Sequence, residues 1–337
     1  MILGFFNVPL GEFYLIALIA LIVGGFLALG AGGKYLTQGA VGISKNLSID
    51  PLIVGLTVVS VATSMPEFST TLTAAEEFPG LAMGNILGSN IANTGLILGV
   101  AALLMSLKVK LRLIKREVPF LVFITILFGV LVRTDGVLSR FEGVLLLATT
   151  VGYLFYIILI ARSERAMITE TLSSELEDGS VELSSGKACV LILSGAVLLM
   201  LGAELLVQSS VEVATRLGVS EVFIGLTVLA LGTSLPELAA SIAAVRAGQG
   251  DLCVGNIIGS NIFNLLLIGG GAATYASLPI TPGLLDFEFI ALLLITFFFS
   301  ALIYTGRTIT RTEGGLLLLM YFVFIALAFL KQLGIIF

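Results

Sequence analysis

The stretch GLTVVSVATSMPE, residues 55–67, decides the fold, because a closely similar stretch, GLTVLALGTSLPE, occupies residues 225–237. Eight of the thirteen positions are identical, and the two copies are 170 residues apart. A second pair follows: GNILGSNIAN at 84–93 and GNIIGSNIFN at 255–264 share eight of ten positions, with an offset of 171. An offset of half the chain length indicates an internal duplication.

The sequence around these motifs has the composition of a membrane protein. Of its 337 residues, 58% are hydrophobic and 12% are charged, whereas a soluble domain carries about 25% charged residues. Apolar stretches recur that can cross a bilayer core, for which a helix needs ~20 residues. They are continuously apolar rather than alternating, so they predict helices and not the strands of a transmembrane barrel.

Charged residues mark the boundaries of ten predicted spans, near 10–33, 51–75, 79–107, 117–133, 141–161, 188–208, 221–245, 252–278, 287–305 and 314–331. The first is expected to be a retained span and not a secretory signal, because its first lysine follows the apolar run. We therefore predict an all-α polytopic membrane protein. Its expected parts are a five-helix repeat at 1–161, a hydrophilic linker at 162–187 and a second five-helix repeat at 188–337.

The odd number of spans in each repeat requires the second repeat to insert upside down relative to the first. Inverted repeats are typical of transporters whose substrate sites lie near the bilayer midplane. Basic residues assign the sides, because the richer side is cytoplasmic. Thirteen fall on one predicted side: Lys34, Lys45, Lys108, Lys110, Arg112, Lys115, Arg116, Arg162, Arg165, Lys187, Arg246, Arg307 and Arg311. Four fall on the other: Arg133, Arg140, Arg216 and Lys331. We expect a multi-pass cell-membrane protein with both termini outside and the 162–187 loop cytoplasmic.

Two carboxylates, Glu67 and Glu237, lie in the middle of predicted spans at equivalent repeat positions. A carboxylate at the bilayer centre costs at least ~2.5–3.5 kcal/mol. No mid-span Lys or Arg is present to pair with either one. Such residues indicate a functional site, although a protonated pair that only braces helix contacts is the structural alternative.

Each glutamate is preceded by Thr, Ser and Pro, which supply further oxygens. Pro66 cannot donate a hydrogen bond to the carbonyl of Ala62, and Pro236 likewise frees the carbonyl of Gly232. Irregular backbone at this depth is tolerated only where it lines a site or is buried in protein. We therefore predict that carbonyls near 60–63 and 230–233 are ligands for a dehydrated ion.

The second motif places more oxygens on one helical face of each repeat. Two asparagines and a serine recur at i, i+4 and i+8: Asn85, Ser89 and Asn93, then Asn256, Ser260 and Asn264. Packing and interhelical hydrogen bonds are the alternative role for these faces. For Asn85 and Asn256 that alternative is as good as ion contact.

The residue types select hard cations. The chain has no histidine, which excludes a histidine proton relay, and oxygen-only sites suit Ca²⁺, Mg²⁺ and Na⁺. Two ionised glutamates balance one Ca²⁺, with neutral oxygens completing the six to eight ligands that calcium prefers. The same oxygens also suit two or three Na⁺. A site that accepts either set, but not both together, is an antiporter by mutual exclusion.

The paired ATSMPE/GTSLPE and GNILGSNIAN/GNIIGSNIFN motifs resemble those of the calcium/cation antiporter superfamily, particularly prokaryotic sodium/calcium exchangers. The resemblance covers the full chain and implies a ten-helix fold that exchanges Na⁺ for Ca²⁺ by alternating access. It implies calcium-ligating carboxylates at Glu67 and Glu237, carbonyl ligands at Thr63 and Thr233, and sodium-site hydroxyls at Ser64 and Ser234. It further implies sodium contacts from the carbonyls of Ser60 and Ala230, and a lining of Ser89, Asn93, Ser260 and Asn264.

Asn264 departs from some archaeal members, which have Asp there, and this leaves the ion stoichiometry and any potassium dependence open. A proton/calcium exchanger of the same superfamily is the alternative, although its usual acidic residue after a Gly-Asn pair is missing. A passive cation channel and a membrane-embedded hydrolase are disfavoured, because the sequence has neither a fourfold pore motif nor an intramembrane aspartyl motif. We expect Ca²⁺, Na⁺ and membrane lipid as partners, and no enzyme activity, cofactor, nucleic acid or obligate protein partner.

Overall fold

A computed structural model describes residues 12–175, 183–216, 230–279, 287–333 and 335, and these residues are almost entirely helical. The helices of the first half are α1 (Glu12–Leu47), α2 (Pro51–Thr63), α3 (Met65–Glu77), α4 (Pro79–Leu104), α5 (Leu113–Thr134) and α6 (Arg140–Glu175). Those of the second half are α7 (Ser185–Arg216), α8 (Ala230–Gly232), α9 (Leu235–Arg246), α10 (Gly250–Tyr275), α11 (Glu288–Gly306) and α12 (Arg311–Gln332).

Within the described residues, eight helices are long and apolar enough to cross a membrane. The bent pair α2 and α3 adds a ninth span if the two helices are counted as one. The tenth predicted span, 221–245, lies partly outside the described residues, which include only α8 and α9 of it. The chain is therefore a polytopic helical membrane protein.

Several helices extend beyond their predicted boundaries. The first continues past Lys34 to Leu47, and α6 continues through the first half of the predicted linker to Glu175. The sixth predicted span, 188–208, is part of the longer helix α7, which ends at Arg216. Charged residues mark where a helix leaves the apolar layer, but a helix continues into water wherever its backbone hydrogen bonds are satisfied.

Two helices form the centre and the others surround them. The most apolar window of α10 is 94% buried and that of α4 is 78% buried, whereas that of α12 is only 17% buried. Since the apolar surface of α12 has few protein neighbours, this surface suits lipid. The second motifs, on α4 and α10, thus lie on the two most enclosed spans.

Glycines allow α1 and α7 to lie against each other along their length. A Cβ added at Gly32 would lie 2.9 Å from the carbonyl oxygen of Gly195, and one at Gly25 would lie 2.9 Å from that of Gly202. Gly25 is equivalent to Gly195 and Gly32 to Gly202 at the repeat offset of 170. The two helices therefore meet through the same residues from either side.

Two short antiparallel ribbons join the halves. β1 (Leu107–Lys108) pairs with β4 (Thr308–Ile309), and β2 (Val137–Leu138) pairs with β3 (Leu278–Pro279). At the offset of 171, β1 is equivalent to β3 and β2 to β4. Each ribbon therefore pairs the first strand of one half with the second strand of the other half.

Matching turns follow β2 and β4. After β2, the carboxylate of Glu142 accepts hydrogen bonds from the backbone N–H and the hydroxyl of Ser139, at 2.8 and 2.7 Å. After β4, Glu313 accepts the same two bonds from Thr310, at 2.7 and 2.8 Å. Such capping boxes satisfy backbone donors that a helix start leaves open. The duplication therefore reaches beyond the two motifs that reveal it in the sequence.

Lys110 connects two helix starts outside the spans. Its Nζ lies 2.7 Å from an oxygen of Asp50, the residue before α2, and 2.9 Å from an oxygen of Asp251, in the first turn of α10. Burial lowers the pKa of Lys110, but the hydrogen bonds and charges of both aspartates outweigh burial. The pKa of Lys110 therefore lies above its usual value of 10.5.

Candidate cation site

The helix break in the first Thr-Ser-x-Pro-Glu motif falls at the serine. α2 ends at Thr63, α3 begins at Met65, and the two axes differ by 46°. Ser64 between them has φ −85° and ψ 6°. Pro66 occupies the first turn of α3, where a helix needs no N–H donor and tolerates proline well. Proline thus starts the second helix and does not kink one continuous helix.

The second copy of the Thr-Ser-x-Pro-Glu motif has the same local geometry. Ser234 has φ −90° and ψ 4°, and Pro236 lies in the first turn of α9. The sequence predicts an interrupted helix at both places, and the described backbone has one at both. The interruption positions Glu67 and Glu237 in the first turns of α3 and α9.

The two glutamates are fully buried and close together. Their exposed fractions are 1% for Glu67 and 0% for Glu237, and their carboxyl groups lie close enough to repel each other. The hydroxyl of Ser64 donates a 2.8 Å hydrogen bond to Oε1 of Glu237. Within the described residues, both oxygens of Glu67 and Oε2 of Glu237 accept no hydrogen bond. Carboxylate oxygens from both halves are therefore available at one buried place.

The predicted lining residues of α4 and α10 are also buried without partners. Ser89, Asn93, Ser260 and Asn264 are each at most 2% exposed. Their side-chain oxygens and amide nitrogens make no hydrogen bond to any part of the chain that the structure describes. Buried polar atoms are normally paired, and each unpaired one calls for a specific explanation. A bound cation that takes these oxygens as ligands is one such explanation.

A wide π-helical turn begins at the last asparagine of each second motif. These turns span Asn93–Ile97 and Asn264–Ile268. A π turn inserts an extra residue into the helix and often occurs at functional positions. Both turns begin at a predicted lining residue, so the local backbone of α4 and α10 is irregular at the same level of each repeat.

The threonines of the first motif make crossed contacts between the halves. The hydroxyl of Thr63 donates to Oδ1 of Asn256, and that of Thr233 donates to Oδ1 of Asn85, both at 3.3 Å. The sequence alone left Asn85 and Asn256 undecided between packing and ion contact. Their position one residue after the first glycine of the second motif was the available signal, but it does not identify a partner 193 or 148 residues away.

The two predicted sodium-contact positions differ in what the structure describes. Ser60 is fully buried, and its carbonyl accepts a 3.0 Å hydrogen bond from the backbone N–H of Ser64. The carbonyl of Ser60 also accepts a 3.3 Å hydrogen bond from the hydroxyl of Thr63, so an ion that binds this carbonyl competes with that hydroxyl for its second lone pair. Ala230 has helical backbone at the start of α8, and its side chain lies outside the described side chains.

The ligand types at this site are those of a hard-cation site. Within the described residues, no group of three or more His, Cys, Asp or Glu side chains could hold a metal ion. The buried cluster instead combines two carboxylates with hydroxyl and amide oxygens. Ca²⁺ and Na⁺ prefer such oxygen ligands, whereas zinc and softer metals favour nitrogen or sulfur.

Comparisons with known proteins agree on one family. The family model described as sodium/calcium exchanger protein matches residues 17–159 and 187–330. The chain is 36% identical to the inner membrane protein YrbG of Escherichia coli, covering 86% of this chain and 89% of YrbG. It is 31% identical to the sodium/calcium exchanger MaX1 of Methanosarcina acetivorans, covering 90% of this chain and 96% of MaX1.

Solved structures of the sodium-calcium exchanger NCX_Mj are similar in fold. A structure soaked with zero Na⁺ and Ca²⁺ superposes with a TM-score of 0.79 at 28% sequence identity, covering 93% of this chain and 99% of that chain. A structure soaked with 2.5 mM Na⁺ and 10 mM Sr²⁺ has the same TM-score and coverage. The similarity in fold therefore extends over most of this chain.

Proposed function

We propose, because this chain belongs to the sodium/calcium exchanger protein family, that it is a secondary active antiporter that exchanges Na⁺ for Ca²⁺ by alternating access. The observation that carries the proposal is the burial of Glu67 and Glu237 side by side, one from each half. Two carboxylates in an apolar interior repel each other and lack solvation. A divalent cation between them removes both costs.

Twelve residues are proposed to contact the transported ions: Ser60, Thr63, Ser64, Glu67, Ser89, Asn93, Ala230, Thr233, Ser234, Glu237, Ser260 and Asn264. The two carboxylates are the calcium ligands, and the backbone carbonyls of the two threonines complete the calcium shell. The sodium contacts are the hydroxyls of Ser64 and Ser234, the backbone carbonyls of Ser60 and Ala230, and the side-chain oxygens of Ser89, Asn93, Ser260 and Asn264. The buried, unpaired oxygens of α4 and α10 support this assignment.

Exchange follows from the charge of the site. Two ionised glutamates hold a charge of −2, which one Ca²⁺ or two Na⁺ neutralise, and the neutral oxygens give room for two or three Na⁺. Both ion sets depend on the same two carboxylates for charge balance, so one set must leave before the other binds. Because an empty site retains two unbalanced charges in the membrane interior, the loaded protein changes its accessible side more readily than the empty one.

We also propose an architecture of ten spans in two inverted five-helix repeats, 1–161 and 188–337. In this arrangement the 162–187 loop lies in the cytoplasm, and so do the two helix starts that Lys110 connects. Each ribbon connects two segments that the sequence assigns to the same side of the membrane, the β1–β4 ribbon to the cytoplasmic side and the β2–β3 ribbon to the other. Lys110, Asp50 and Asp251 likewise belong to three loops with the same predicted side. The crossing of α1 and α7 through glycines provides two smooth helices that can slide over the site helices.

The test is Ca²⁺ uptake into sealed proteoliposomes that contain the purified full-length protein. Vesicles loaded with Na⁺ and diluted into Na⁺-free medium are expected to take up Ca²⁺, and vesicles with equal Na⁺ on both sides are not. Equal uptake driven by a proton gradient without Na⁺ would identify a proton/calcium exchanger instead. Ca²⁺ conductance without any opposing gradient would identify a channel and contradict exchange.

A further inference from the structure

We propose that Asn85 and Asn256 are positioning residues, each of which holds the threonine of the opposite half in place for ion binding. The inference rests on the proposed function, and it concerns side chains outside the proposed ligand set. Thr63 and Thr233 come directly before the serines at which the helices break. The backbone and side-chain orientation of these two threonines therefore decides where their carbonyls and hydroxyls point at each break.

Asn85 links three parts of the site. Its Oδ1 accepts the hydrogen bond from Thr233 of the second half at 3.3 Å. Its Nδ2 donates to the hydroxyl of Thr71 at 2.8 Å and to the carbonyl of Glu67 at 3.4 Å. One amide on α4 therefore connects the first turns of α3, which carry Glu67, to the helix break before α9. A shift of one break would therefore strain the contact that Asn85 makes with the other.

Asn256 makes the equivalent link with fewer bonds. Its Oδ1 accepts from Thr63 at 3.3 Å. Its Nδ2 has no hydrogen-bond partner among the described residues, and neither does the hydroxyl of Ser241, the position equivalent to Thr71. The hydroxyl of Thr63 also lies 3.3 Å from the carbonyl of Ser60, so two acceptors share it. Asn85 therefore holds its threonine more firmly than Asn256 does.

Residues that orient metal ligands without touching the metal affect affinity strongly, typically by about 10- to 100-fold. Asn85→Leu removes both hydrogen-bonding groups while keeping the number and branching of heavy atoms, and Thr233→Val removes the hydroxyl while retaining the backbone carbonyl. If the two residues act through their mutual bond, the second substitution changes nothing once the first has been made. Independent residues would instead give multiplied effects.

The experiment measures initial Ca²⁺ uptake by Na⁺-loaded proteoliposomes against external Ca²⁺, which gives the half-saturating concentration and the maximal rate. Asn85→Leu and Thr233→Val are each expected to raise the half-saturating Ca²⁺ concentration about tenfold. The double variant is expected to match the single ones and not reach about a hundredfold. Thr233→Ser, which keeps the hydroxyl, is expected to regain much of the Ca²⁺ affinity that Thr233→Val loses, and Asn256→Leu is expected to have a smaller effect than Asn85→Leu.

Thr125→Val is the matched control, because the buried hydroxyl of Thr125 donates only to Leu121 of its own helix. Wild-type half-saturation in Asn85→Leu, or multiplied shifts in the double variant, would overturn the positioning role. If Asn85→Leu does not fold, the comparison of Thr233→Val with Thr233→Ser decides alone. Calorimetric Ca²⁺ binding to the detergent-solubilised variants distinguishes failure of the positioning role from failure of the proposed exchange. A change in Ca²⁺ affinity stays measurable even if uptake by the wild-type protein does not depend on a Na⁺ gradient.

Discussion

Ser64 of the first half donates a 2.8 Å hydrogen bond to Glu237 of the second half, whereas the equivalent pair, Ser234 and Glu67, makes no such bond within the described structure. The two motif copies have the same local backbone and the same polar residues, so this difference arises from how the halves meet. The site is therefore asymmetric even though the motifs that build it are nearly identical. The carboxylate of Glu237 accepts a hydrogen bond from the opposite half, whereas both carboxylate oxygens of Glu67 are without a hydrogen-bond partner among the described residues.

The asymmetry predicts unequal effects of two equivalent substitutions. Ser64→Ala removes a hydrogen bond to a buried carboxylate, and bonds to charged groups contribute about 1.5–3 kcal/mol. Ser64→Ala is expected to raise the half-saturating Na⁺ concentration about tenfold, and Ser234→Ala by less. The measurement is Ca²⁺ release from loaded proteoliposomes against external Na⁺. Ser69→Ala, on the exposed face of α3, is the control, and equal shifts for both site serines would contradict the asymmetry.

Both glutamates are expected to be essential for Ca²⁺ transport. Glu67→Gln and Glu237→Gln each halve the site's negative charge while keeping its shape, so neither variant can neutralise Ca²⁺. Uptake of Ca²⁺ is expected to fall to the level of empty vesicles, while size-exclusion profiles and melting temperatures stay close to wild type. Glu77→Gln, at the exposed end of the same helix, is expected to transport normally. Ca²⁺ flux retained in either site variant would refute the assignment.

The α1–α7 contact predicts opposite effects of alanine at two neighbouring glycines. A Cβ at Gly32 would lie 2.8 Å from the backbone nitrogen of Leu199, whereas one at Gly30 meets nothing within 4 Å. Overpacking of this kind costs about 1–3 kcal/mol, and alanine favours a helix over glycine by about 1 kcal/mol. Gly32→Ala is expected to lower the melting temperature in detergent, and Gly30→Ala to leave it unchanged or raise it. The reverse order would show that these helices do not meet here.

Lys110 provides a prediction with a defined pH range. Its folded-state pKa is raised, so its contribution to stability is fully present below the usual pKa of 10.5 and is lost as pH rises through the folded value. Lys110→Met is expected to reduce the free energy of unfolding by about 1 kcal/mol, since both ion pairs are partly exposed. The loss should be constant from pH 6 to pH 9 and shrink above pH ~10.5. Lys108→Met, at an exposed neighbouring position, is the control.

The sequence predicted the class of fold and the positions of the helix interruptions. Motifs at fixed offsets identified the two regions of irregular backbone, because proline and the residues around it act locally. The exact break at Ser64 was missed, since whether proline kinks one helix or starts the next depends on what packs around it. The capping boxes at Ser139 and Thr310 were also missed, although Ser-x-x-Glu and Thr-x-x-Glu just before apolar runs were available signals.

The contacts between halves could not be predicted from spacing. The Thr63–Asn256 and Thr233–Asn85 bonds depend on how α2, α4, α8 and α10 cross, and the sequence specifies faces of helices but not crossing angles. The same is true of Glu117, which the charge pattern places at a span end. The structure buries it and brings it within 3.5 Å of Arg112. Whether the twelve proposed site residues contact ions stays a prediction, which the transport experiments above test.

The pairing of the two ribbons has an evolutionary consequence. Leu107 lies opposite Ile309, and Leu138 lies opposite Leu278. In each ribbon, the first strand of one half pairs with the second strand of the other half, and the two pairings are equivalent. Two separate copies of a half-length ancestor, inserted in opposite directions, would make both ribbons without any change of register. A fusion of two such copies would need no new interface between the halves, and the copies could then diverge, as the bonding of Ser64 and Ser234 differs here.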